Sequence, residues 1–253
     1  MCLIITGKGV FMDFANILLV MAISLIGSSI QSSTGFGYGV FVMSVLPFFI
    51  PYTEALVLTS LTALASTTML VYKHRKYIKF KIVIVPIIAF AVTSTFATVF
   101  LMKLSDSMMK QYLGVILILL SCYFLFFSKK IHIKANAVSG ATCGGISGVL
   151  SALFGMGGPP LALYMLDATK ETHEYLANIQ CIFLSTLIYI SVIRTMNGMV
   201  TPEVFKYFVP SLIGVLMGLV LGLRIFKKFN PQTLKTAVYI FMAVIGIRLV
   251  LLG

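Results

Sequence analysis

Two clusters of glycine interrupt long apolar stretches at equivalent places about 120 residues apart. The first is Ser33-Thr34-Gly35-Phe36-Gly37-Tyr38-Gly39 and the second Phe154-Gly155-Met156-Gly157-Gly158-Pro159. Without a Cβ, glycine lets backbone come close to a ligand and takes positive φ freely. A helix restarting after such a break leaves its first N–H groups unpaired and carries a partial positive end. That combination holds anions such as carboxylate, sulfite or sulfate. In a bilayer, irregular backbone survives only where protein buries it or it lines a wet cavity. Paired breaks in two halves point to the binding site of a carrier. The competing role is close helix packing through small residues. A dinucleotide site is excluded, because no strand–helix unit surrounds either cluster.

Polar side chains flank both breaks. Gln31, Ser32, Ser33 and Thr34 precede the first, and Ser147 and Ser151 the second. Thr59, Thr62 and Ser66 share one helical face, as do Asn178, Ser185 and Tyr189, with Gln180 one position off but deep in its run. A buried amide is costly without partners, so Gln31 and Asn178 are the strongest side-chain candidates; the alternative for each is a hydrogen bond that only joins two helices. Hydroxyls can bond back to their own helix and carry less weight. The candidate binding set is Gln31, Ser32, Ser33, Thr34, Gly35, Gly37, Gly39, Thr59, Ser147, Ser151, Gly155, Gly157, Gly158, Asn178 and Gln180. Gly214, Gly218 and Gly222 form a small-residue stripe expected to pack against a neighbouring helix. Arg194 and Arg248 lie near the ends of apolar runs and are expected to snorkel to the interface. His74, His132 and His173 read as solvated loop residues, and Asp167, Glu171 and Glu174 as a solvated loop cluster with Lys170. No H-x-x-x-H or C-x-x-C spacing occurs, so neither a metal site nor a cofactor is expected.

The elements that must hold these residues are membrane helices. The chain has 253 residues, 59% hydrophobic and 10% charged, with a mean hydropathy of +1.05. A soluble domain carries about 25% charged residues. The expected fold is all-α: a polytopic membrane bundle of two related repeats, about 14–128 and 136–252, forming one transporter domain. Five apolar segments fall in each half, and the first is read as a retained helix rather than a signal peptide. The net charge of +12 comes from short basic loops, which is the positive-inside pattern and not a nucleic-acid surface. The loops holding Lys73–Lys81, Lys129–Lys134 and Arg224–Lys235 are placed in the cytoplasm. They alternate correctly if the halves insert in opposite senses; eight spans with parallel halves is the rival arrangement. The segments just after the breaks are short enough to be re-entrant.

The glycine clusters resemble those of the sulfite exporter family TauE/SafE. Gly155-Met156-Gly157-Gly158-Pro159, preceded by Gly144-Gly145-Ile146-Ser147-Gly148, fits that family's glycine-rich break closely. Gly35-Phe36-Gly37-Tyr38-Gly39 departs at Tyr38, where the family often has glycine, and Pro47 follows in place. Thr59-Ser60 and Asn178 to Gln180 stand where the family has its small-residue tract. The resemblance spans about residues 14–252 and implies transport of a sulfur-containing or organic anion across a bacterial-type plasma membrane. Its implied partners are the lipid bilayer and a small anion, with the oligomeric state open and a homodimer one option. All seven acidic residues lie in or near loops, which argues against proton coupling through a buried acid. The expected mechanism is outward anion movement down the membrane potential by alternating access. The alternatives are an ion-coupled importer of an organic anion and a membrane scaffold that transports nothing. An enzyme is not expected, since no Ser–His pair, metal motif or deep carboxylate dyad is present.

Overall fold

The computed structural model describes residues 7–127, 133–225 and 231–252; side chains are described at these except 7–14, 33, 34, 127, 223–225, 231–235 and 252. Every regular element among the described residues is helical. The first series is α1 (Gly7–Thr34), α2 (Tyr38–Val45, extended by a 3₁₀ turn Leu46–Phe48), α3 (Tyr52–His74), α4 (Phe80–Leu101) and α5 (Asp106–Cys122, ending in a π turn). The second is α6 (Ala137–Phe154), α7 (Gly158–Ala168), α8 (Thr172–Met196), α9 (Pro202–Ile225) and α10 (Pro231–Leu252). Seven helices among the described residues are long and apolar enough to cross a membrane, and the protein is a multi-pass integral membrane protein. The helices start where sequence chemistry dictates. Asn136 and Ser139 form a capping box at α6, the Ser105 hydroxyl accepts from the Met108 N–H at α5, and Pro202 opens α9.

The glycine breaks end α1 and α6. Gly35, Gly37 and Gly155 take φ of +85°, +108° and +70°, a region closed to most residues with a Cβ. Gly157 does not: its φ is −73°. The two breaks therefore correspond at Gly35 and Gly155 but not at Gly37 and Gly157. The helices that follow have eight and eleven residues. At 1.5 Å per residue they cover about 12 and 16 Å, roughly half of a ~30 Å hydrocarbon core.

Small residues set the packing. On α9, Gly214, Gly218 and Gly222 lie against the backbone of Met21, Leu25 and Ser29 on α1, and the Ser28 and Ser29 hydroxyls donate to the Val215 and Gly218 carbonyls. On α6, Gly144 and Gly148 lie against Pro86 and Phe90 of α4, and the Thr93 hydroxyl donates to the Gly145 carbonyl. Both pairs run parallel. Gly114 of α5 and Gly246 of α10 face each other's carbonyls, in an antiparallel pair. Helices α3 and α8 also run antiparallel, with Leu56 beside Arg194 at one end and His74 stacked on His173 at the other. Each series thus packs its first helix on the fourth helix of the other.

The histidines need correcting. His74 is not a solvated loop residue: it ends α3, is 8% exposed and stacks on His173, which also stacks on Tyr77. His132, with Lys129 and Lys130, lies outside the described residues.

Candidate functional site

The two breaks touch. A Cβ on Gly39 would collide with the carbonyl of Gly155, so α2 begins directly against the end of α6. Beside this contact lies a cavity of about 70 Å³, several times the ~10–15 Å³ that admits one water. Both breaks line it, through Gly37, Gly39, Gly155, Gly157 and Gly158, together with Gln31 of α1, Thr59 of α3 and Ser151 of α6. Phe36, Phe90, Leu161 and Phe183 supply apolar wall.

Donors toward the cavity come unequally from the two breaks. In α2 the first helical hydrogen bond runs from the Phe41 N–H to the Gly37 carbonyl. The N–H groups of Tyr38, Gly39 and Val40, all lining residues, therefore have no partner within the helix. In α7, Pro159 and Pro160 occupy the corresponding turn and bring no N–H. The second break thus contributes space and shape more than donors.

The other candidates sort by their partners. Gln31 donates through Nε2 to Thr67 Oγ1 at 3.4 Å and accepts from Ser66 Oγ at 3.1 Å, so it bridges α1 to α3 while lining the cavity. Thr59 bonds back to the Ala55 carbonyl. Gln180 lies outside the cavity wall; its Nε2 donates to the Gly35 carbonyl at 2.6 Å and holds the end of α1. The Ser32 hydroxyl donates to the Ser29 carbonyl beside Gly222, toward α9 rather than the cavity. Ser147 packs its carbonyl beside Gly157, and its buried hydroxyl has no partner among the described groups. The side chains of Ser33 and Thr34 lie outside those described. Asn178 stands apart from the cavity. Its Oδ1 accepts from the Lys79 N–H at 2.7 Å, and its Nδ2 donates to the Tyr77 and Glu174 carbonyls. It fastens the α3–α4 turn to α8, next to the ion pair of Lys79 with Glu174.

The largest departure from expectation is Arg194. It does not snorkel: it is 1% exposed and lines the cavity. Nη1 donates to the Leu56 carbonyl and to Ser60 Oγ, at 3.1 and 2.8 Å. Nη2 donates to the Ser151 and Ala152 carbonyls, at 3.0 and 3.2 Å. The Tyr52 hydroxyl donates to the Leu153 carbonyl. The Ala152 and Leu153 carbonyls in the last turn of α6, which the break would leave orphaned, are thereby satisfied by side chains from α8 and α3, while the Ser151 carbonyl accepts from the Gly155 N–H as well as from Arg194. Helix α8 holds both breaks: Gln180 secures Gly35 and, about 21 Å further along at 1.5 Å per residue, Arg194 secures the end of α6. The signal available in the sequence was an arginine facing the helix side that also carries Thr186 and Leu187, both lining residues; its position near the helix end concealed it.

No match is found among curated proteins or among solved structures. A family model described as sulfite exporter TauE/SafE matches residues 19–249. With nearly the whole length of a multi-pass helical protein matched, and both glycine breaks inside the match, the chain belongs to the sulfite exporter TauE/SafE family of membrane transporters.

Proposed function

We propose that this protein carries a small oxyanion, sulfite or a related sulfur-containing or organosulfonate anion, through the cavity between the two breaks. The observation that carries the reading is the contact of Gly39 with Gly155 beside a cavity that both breaks line. The N–H groups at the start of α2, which have no partner within the helix, supply donors for the anion. The cavity volume suits a passenger of a few heavy atoms. The halves insert in opposite senses and rock about the breaks to give alternating access. Supporting this, α3 and α8, the third helices of their series, run antiparallel, as do the fifth helices α5 and α10.

The direction is outward and the movement passive. Among the described residues no carboxylate lines the cavity, which favours movement without proton coupling through a buried acid there. An anion leaving a negative interior gains ~2.3 kcal/mol per charge per 100 mV. Proteoliposome flux across sulfite, sulfate, thiosulfate and short alkyl sulfonates tests the reading. Sulfite efflux accelerated by an inside-negative potential is expected, with Gly35→Leu and Gly157→Leu inserting normally but silent. Normal flux in both variants would defeat the site, and no flux of any anion in the wild type would defeat the function.

A further inference from the structure

Arg194 is a buried cation without a counter-ion among the described residues. Its four acceptors are three backbone carbonyls and one serine hydroxyl. Among the described residues no carboxylate lies within ion-pair distance of it. Burying a charge costs several kcal/mol unless it is compensated. The carbonyls of Ser151 and Ala152 belong to the negative end of α6, which offsets about half a charge. A positive surplus remains, and guanidinium cannot shed its proton to remove it. Four of the five N–H donors are occupied, while Nε has no partner. The group with this unmet donor and unmet charge stands on the wall of the cavity where the breaks meet.

We infer that Arg194 is the fixed counter-charge of the transported anion, which completes the guanidinium's set by accepting a hydrogen bond from Nε, an atom covered in this structure and uncovered as the anion enters. This rests on the carrier reading above and adds the property that selects the passenger. The passenger must bear a net negative charge and present an acceptor oxygen, so a neutral molecule of the same shape is refused. The guanidinium is held by the end of α6 and by Ser60. When an anion binds, the cation it meets is already tied to both α3 and α6, so binding is communicated to each.

The test uses the purified full-length protein, with sulfite binding measured by calorimetry and by the shift of its melting temperature. Wild-type protein should bind sulfite and methanesulfonate, and methanesulfonate but not the neutral dimethyl sulfone should compete with sulfite. Arg194→Lys keeps the charge and should weaken binding about tenfold; Arg194→Gln should weaken it about 100-fold or more while still melting cooperatively. Sulfite binding of wild-type strength by a folded Arg194→Gln protein overturns this inference and leaves the carrier reading standing. Should Arg194→Gln fail to fold, the wild-type competition decides: equal competition by dimethyl sulfone and methanesulfonate overturns the inference, and competition by methanesulfonate alone supports it. Wild-type protein that neither binds nor moves any of these anions overturns the carrier reading and this inference together.

Discussion

Gly39 and Gly145 both face another helix, yet a methyl group at the two positions meets different surroundings. At Gly39 it would strike the Gly155 carbonyl, part of a backbone held by its own helix end. At Gly145 it would meet only the Thr93 methyl at 3.4 Å, an ordinary contact. Gly39→Ala should therefore cost about 1–3 kcal/mol through overpacking and suppress sulfite flux by forcing the breaks apart. Gly145→Ala should leave both the melting temperature and the flux near wild type. Equal behaviour of the two variants in a thermal melt and a flux assay would show that the contact between breaks is not what holds the cavity. The glycines were legible in the sequence because their spacing recurs and no other residue tolerates these roles. Arg194 and Asn178 were not, because for a polar side chain the sequence shows burial only through its neighbours along the helix. Asn178 lies deep enough to suggest a ligand, but its partners come from a turn 99 residues earlier. Arg194 lies near a helix end, where an interfacial fate is usual, but the end of α6 stops short and leaves carbonyls for it to satisfy.

Among the elements, α6 shows how a broken helix is paid for. Its last turn exposes carbonyls within a membrane-embedded structure, and each unsatisfied group there is costly. Tyr52 meets the Leu153 carbonyl and Arg194 the Ala152 carbonyl, while Arg194 and the Gly155 N–H share the Ser151 carbonyl. Tyr52→Phe removes one donor without changing the shape of the ring, and should lower stability by about 1 kcal/mol, read as a lower melting temperature of the purified protein. At the other end of α8, Asn178 fastens the α3–α4 turn through two hydrogen bonds, makes a third to the Glu174 carbonyl of its own helix, and is fully buried. Asn178→Ala should cost about 1–3 kcal/mol and leave sulfite affinity unchanged, because the side chain does not reach the cavity. A large loss of affinity in folded Asn178→Ala would return the residue to the site. The helices themselves were readable from apolar run length, and the two short ones from their glycine and proline borders. The difference between α2 and α7 as sources of N–H groups was also written in the sequence: Pro159 and Pro160 remove donors that a glycine count alone would credit to the second break.

At the scale of the molecule, eight of the ten described helices pack in two groups of four. One joins α1, α2 and α3 with α9, and the remaining pair, α5 with α10, lies against it; the other joins α6, α7 and α8 with α4. Each series lends its fourth helix to its counterpart, an exchange that apolar periodicity cannot reveal because it depends on which glycine stripe meets which backbone. Between the groups runs a seam formed by α3 against α8 and by the touching breaks. One end of the seam carries Arg194 and Ser60. The other, beside the basic loop after α3, is closed by the stacked rings of His74, His173 and Tyr77. If access alternates by rocking of one group against the other, that stack must part once in each cycle, whereas the α1–α9 contact stays shut. Cysteines placed by His74→Cys and His173→Cys, in a background lacking the native cysteines, should block sulfite flux when joined by a short thiol-reactive linker that can be cleaved. Cleavage should restore flux. A control pair across α1 and α9, Met21→Cys with Ser211→Cys, should tolerate the same linker, since both helices travel together. Flux unaffected by linking position 74 to position 173 would mean that the seam does not open there, and that the anion leaves by a path that keeps the two groups fixed.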